Sequence, residues 1–158
     1  MNIFEEEFWS INESLNKLLT TTNANSVLLI DRAGQLITSA GNTQNLDVSS
    51  FSSLSAADFA ATSQLATLIG EKEFSTLFHQ GENENIFISI VAHRVILVII
   101  FDNRSTLGLV RVRVKHTAEE LGKIFQNIFL KIEGQTPPPA IDEGFAKEAE
   151  EEIDKLFG

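Results

Sequence analysis

Cysteine is absent from the 158 residues, which removes disulfides, zinc-thiolate sites, iron-sulfur clusters and thiol catalysis in one step. Proline is scarce, and its three copies stand together at Pro137-Pro138-Pro139. Basic residues are few as well, 12 against 22 acids, for a formal charge of -10. That balance argues against a duplex-DNA binder, whose affinity rests on Lys and Arg neutralising phosphates, so no nucleic-acid partner is expected. The longest apolar run, Val95 to Phe101, is far short of the roughly 20 residues that cross a bilayer, and no membrane insertion is expected. The opening Phe4-Glu5-Glu6-Glu7 is acidic where a secretory signal carries basic residues ahead of an apolar run. The expectation is a cytoplasmic protein with one ordinary domain, able to bury about 70% of its unfolded surface without a covalent or metal staple.

What charge there is lies unevenly. Residues 140–158 hold seven acids and two bases, half of the net charge. Gly134-Gln135-Thr136-Pro137-Pro138-Pro139 just before them reads as a linker, with the prolines favouring an extended spacer. The expected organisation is a domain over 1–133, a Pro-rich linker over 134–139 and an acidic tail over 140–158. In that tail Ile141, Phe145, Ala149, Ile153 and Leu156 or Phe157 recur at three- to four-residue spacing, the pattern of an amphipathic helix with an acidic back. An isolated helix this short is marginal in water, so the stripe reads either as a disordered tail or as a docking segment.

Phe4, Phe8, Ile11, Leu15 and Leu18 share a helical face and predict a first helix over about 3–19. Val27-Leu28-Leu29-Ile30, a turn at Asp31-Arg32-Ala33-Gly34, and Leu36-Ile37-Thr38-Ser39-Ala40 read as a hairpin. Phe51, Leu54, Ala61, Leu65 and Leu68 predict the core stripe of a long second helix that stops at Gly70. Three strands follow, over about 74–79, 86–92 and 95–101. The middle one alternates, and the last is apolar on both faces and is therefore expected at the centre of the sheet. Leu107 to Ile132 keeps helical spacing and predicts a third helix over about 105–131.

Catalytic signatures are missing. There is no phosphate-cradling loop, no Gly-x-Ser-x-Gly elbow and no His pair at metal spacing. His79, His93 and His116 are scattered and read as solvent-facing or boundary residues, while Glu5-Glu6-Glu7 and Glu119-Glu120 read as solvated helix faces. The informative stretch is the second helix. Ser53, Ala56, Ala57, Ala60, Ser63, Gln64 and Thr67 gather opposite its leucine stripe, and Asp58 is its only charge. A solvated helix back ordinarily carries Lys, Glu and Arg, so this small uncharged face points to a covering protein or to the chain's own loops.

Three segments then carry a resemblance: Val27-Leu28-Leu29-Ile30-Asp31-Arg32-Ala33-Gly34-Gln35-Leu36-Ile37, Leu68-Ile69-Gly70-Glu71-Lys72-Glu73-Phe74, and Val98-Ile99-Ile100-Phe101-Asp102-Asn103-Arg104-Ser105-Thr106-Leu107-Gly108-Leu109-Val110-Arg111. With the order of elements they resemble the roadblock family, relatives of the dynein light chains, over about residues 4–133. The likeness is to its bacterial motility branch, to which Glu152-Ile153-Asp154-Lys155-Leu156-Phe157 is also similar.

The resemblance implies an α+β, profilin-like fold, α-β-β-α-β-β-β-α, with a five-stranded antiparallel sheet and helices on both faces. It implies a homodimer whose sheets join edge to edge and whose second helices form a platform for a Ras-like small GTPase in cell polarity or gliding motility. Ala56, Ala57, Ala60, Ala61, Gln64, Thr67 and Leu68 would meet the GTPase switch regions, and Phe145, Ile153, Leu156 and Phe157 would dock elsewhere on it. This chain would supply no catalytic residue, cofactor or metal; GTP and Mg would belong to the partner. Further partners would be polarity proteins such as response-regulator-type factors, and the protein would concentrate at a cell pole. Gln64 stands where the family has a small residue, and Phe59 adds bulk nearby. A non-catalytic adaptor and a small-ligand sensor are the competing readings.

Overall fold

The computed structural model describes residues 4–135 together with Ile153 and Leu156. The chain runs α1 (Glu5–Thr22), β1 (Ser26–Asp31), β2 (Leu36–Gly41), α2 (Val48–Leu68), β3 (Thr76–Gln80), β4 (Asn85–Val91), β5 (Val95–Phe101) and α3 (Leu107–Gln135). The five strands form one antiparallel sheet in the order β2-β1-β5-β4-β3, so β5 is central as its two-sided apolar pattern requires. α3 runs two residues past the expected domain end at 133. Gly134 and Gln135 of the expected linker thus belong to α3, and the rest of that linker, 136–139, and the tail apart from Ile153 and Leu156 lie outside the described residues.

Helices cover both faces of the sheet and divide its side chains into two cores. Under α1 and α3 lie Val27, Leu29, Phe87, Leu97 and Ile99, packed against Ile11, Leu15, Val114, Leu121 and Phe125. Under α2 lie Leu28, Ile30, Ile88, Ile96 and Val98, closed by Ala56 and Phe59. The alternation of β4 accounts for its place: Phe87 and Val91 face α3, while Ile86, Ile88 and Ile90 face α2. β1 is buried along its whole length because it is covered twice.

Glu5, Glu6 and Glu7 place negative charge in the first turn of α1, where the helix dipole favours it. Lys131 Nζ lies 2.5 Å from Glu7 Oε1, and the Ser14 hydroxyl donates to Glu120 at 3.3 Å, so α1 and α3 lie antiparallel. Ile153 is 4% exposed in the core on this side, and Leu156 packs against the same cluster. Two residues of the tail's apolar stripe therefore sit in the chain's own core, where burying an isoleucine is worth about 1.5–3 kcal/mol.

Candidate functional site

The face that the sequence singles out belongs to α2, and α2 lies on the sheet rotated from the expected pose. Its buried residues are Ser52, Ser55, Ala56, Phe59 and Ala66. Of the residues read as its core stripe, Phe51 packs against the core at the helix start, whereas Ala61 is exposed and Leu54, Leu65 and Leu68 point outward, 69%, 59% and 81% exposed. The reason is steric. The sheet beneath already presents Leu28, Ile30, Ile96 and Val98, so small side chains let the helix approach while Phe59 fills the space that remains. Ala56 thus faces the sheet and not a partner, and Phe59, 2% exposed, adds no bulk to the outer surface. Ala57, Ala60, Ala61, Gln64, Thr67 and Leu68 are all exposed.

At 100° per residue the outer surface divides into two adjacent strips. Leu54, Ala61, Leu65 and Leu68 form an apolar one; Ser53, Ala57, Ala60, Gln64 and Thr67 form a small, uncharged one. Asp58 flanks the leucine strip, and its carboxylate meets His79 Nε2 of β3 at 2.5 Å. The leucines therefore lie toward the free edge of the sheet, where β3 pairs only with β4.

Local chemistry fixes α2 at both ends. Asp47 caps its start: Oδ1 accepts from the Ser50 N–H at 3.1 Å and Oδ2 from the Ser50 hydroxyl at 2.8 Å. The backbone hydrogen bond, then the hydroxyl, hold the Asp47 carboxyl below its usual range. At the other end Gly70 takes a φ of +85°, and the Glu71 N–H returns to Ala66 O at 2.9 Å. The β1–β2 turn braces the second turn of the helix. Gly34 has a φ of +91°, and a Cβ there would stand 2.8 Å from the Ser53 Cα, so only glycine allows this approach.

Sequence reading missed Arg32 of the same turn. Its Nε donates to His93 O at 2.8 Å, its Nη2 meets Glu73 at 2.6 Å, and its guanidinium lies 5.7 Å from the Phe59 ring. One side chain thereby ties the underside of α2 to the α2–β3 connection and the β4–β5 turn. His93 and His116 are exposed, as expected. Among the described residues no group of three or more His, Asp or Glu could hold a metal ion, and no helix is long and apolar enough to cross a membrane.

A family profile for the Roadblock/LC7 domain matches residues 10–101, from the second turn of α1 to the end of β5. The chain belongs to the Roadblock/LC7 family. This roadblock protein is similar to MglB of Myxococcus xanthus, with 50% identity, a TM-score of 0.75 and coverage of 80% of this chain and 96% of that one. It is also similar to the gliding protein MglB of Thermus thermophilus, at 29% identity and a TM-score of 0.74, covering 79% and 95% of the two chains. Profilin of Schizosaccharomyces pombe, at 18% identity and a TM-score of 0.54 over 72% of this chain and 94% of its own, shares the fold alone. No curated protein matches. The protein is thus a roadblock-family member of the MglB type, and α2 alone covers one face of its sheet among the described residues. Of the tail positions, Ile153 sits in the domain's own core and Leu156 is half-buried against it, while Phe145 and Phe157 lie outside the described residues.

Proposed function

We propose that this roadblock protein is a homodimeric GTPase-activating protein for an MglA-type Ras-like small GTPase in cell polarity and gliding motility. The observation that carries the reading is the outer face of α2, which is small, apolar or uncharged over its whole length and stands beside the open β3 edge. The likeness to Myxococcus MglB supports the choice of partner. In this reading the strip of Leu54, Ala61, Leu65 and Leu68 pairs with its copy across the joined sheets. Ser53, Ala57, Ala60, Gln64 and Thr67 then form the platform, with Gln64 offering the amide that most of its neighbours lack.

Such a face brings no charge of its own to a phosphoryl transition state. Acceleration would come from reshaping the switch regions so that the GTPase's own Arg and Gln reach the developing charge, an effect worth orders of magnitude in rate. Ile153 would serve a GTPase only after leaving the core in which it is buried, and Leu156 only after leaving the core surface against which it packs. The experiment is single-turnover GTP hydrolysis by the organism's Ras-like GTPase with and without this protein. Acceleration supports an activator; tight binding with an unchanged rate would make the protein a roadblock adaptor instead.

A further inference from the structure

On the sheet face opposite α2, α3 leaves a groove of about 360 Å³ beside β3 and β4. Its floor is apolar, made by Phe87 and Val91 of β4 with Val114 and Ala118 of α3. Arg111 and Lys115 stand one helical turn apart on its wall, both exposed, and among the described residues neither lies within ion-pairing distance of a carboxylate. Glu119 continues the same row a turn further on. Also in the lining is Ser89, 6% exposed, whose hydroxyl has only Ile90 O at 3.5 Å, too far for a useful hydrogen bond.

Nothing in the folding of the domain calls for this arrangement. Like charges one turn apart weaken a helix, and the chain's 22 acids offer many possible partners, yet among the described residues these two cations have none. An occupant with carboxylates and an apolar side chain would meet the two cations and the apolar floor together, with its acidic end held away from Glu119. The apolar floor suits a side chain better than a bare anion.

We propose that the groove seats an acidic peptide segment of a protein partner. One apolar side chain rests on the Phe87, Val114 and Ala118 floor, and flanking carboxylates meet Arg111 and Lys115. Because the groove and α2 lie on opposite faces of the sheet, both can be occupied together, and the groove does not depend on the GTPase reading.

The test uses the full chain and a fluorescein-labelled twelve-residue peptide with two central leucines flanked by glutamates. Anisotropy should report binding that weakens at least tenfold in the double variant Arg111→Glu, Lys115→Glu, and that disappears when the leucines become serines. A peptide with lysines for the glutamates should bind the double variant and not the parent chain, a rescue that misfolding could not produce. In nuclear magnetic resonance spectra the Ser89 and Ala118 amides should move on titration. Equal affinity for parent and double variant, or unmoved groove amides, would overturn the proposal. Two other outcomes would overturn it by naming a different occupant. Shifts of the 142–154 amides in the free double variant would give the groove to the chain's own tail. Binding to phosphatidylglycerol vesicles without peptide binding would give it to a lipid surface.

Discussion

Replacing Leu65 by lysine separates the two poses of α2. Leu65 is 59% exposed, so in an isolated protomer the change touches little and should alter folding stability by no more than about 0.5 kcal/mol. In a seam of paired α2 helices the same residue is used twice. Full burial of a leucine is worth about 1.5–3 kcal/mol, so covering the part still exposed gives roughly 1.5 kcal/mol per copy and about 3 kcal/mol per dimer. That corresponds to about a 150-fold rise in the dimer dissociation constant, before any cost of burying the ammonium. Sedimentation velocity over a dilution series measures the constant, and urea unfolding at concentrations where both forms are monomeric measures the protomer. An unchanged dimer constant would refute the seam. A protomer loss of about 2 kcal/mol or more would refute the pose, because it would put Leu65 in the core.

Three further outcomes are expected. Phe59→Ala should cost about 3–5 kcal/mol in urea unfolding, since it opens a cavity under α2 and removes the ring beside Arg32; a loss below about 1 kcal/mol would mean that α2 is not held this way. The Asp47 carboxyl is depressed below its ordinary 3.8, so its contribution to the α2 N-terminus is complete above that value and fades as pH falls through the lowered pKa. The Ser50 amide shift should therefore titrate below 3.8, and a midpoint at or above it would contradict the cap. Ile153→Ala should lower domain stability by about 2–5 kcal/mol in denaturant melts, and an unchanged midpoint would show that the core does not use this residue.

The strands were legible because period-two alternation has one solution when both faces are covered: Phe87 and Val91 go one way, and Ile86, Ile88 and Ile90 the other. β5 revealed its central place by lacking a polar face. α2 was legible as a helix but not in its orientation. Periodicity divides it into a leucine side and a small side, both apolar enough to be buried, and size alone favours the leucines. What decides is the sheet beneath, whose large side chains leave room for Ser52, Ser55 and Ala56 and a single Phe59. That surface is assembled from β1 before α2 and from β4 and β5 after it, so no local pattern within α2 announces it. Arg32 was hidden for the same reason, since its partners Glu73 and His93 are distant in sequence. The tail stripe was visible as apolar spacing, but spacing does not say whether Ile153 finds its seat on another protein or on its own domain.

The central claim is that the small strip of α2 receives a GTPase and changes its chemistry. Single-turnover GTP hydrolysis by the Ras-like partner, with the parent chain and with Ala60→Arg, tests it most directly. The parent should accelerate hydrolysis by orders of magnitude. The exposed arginine should leave the fold intact while weakening binding by about 2 kcal/mol, roughly 30-fold, and removing the acceleration at matched concentration. Equal acceleration by both chains would contradict the placement of the site, and no acceleration by the parent would contradict the activity itself.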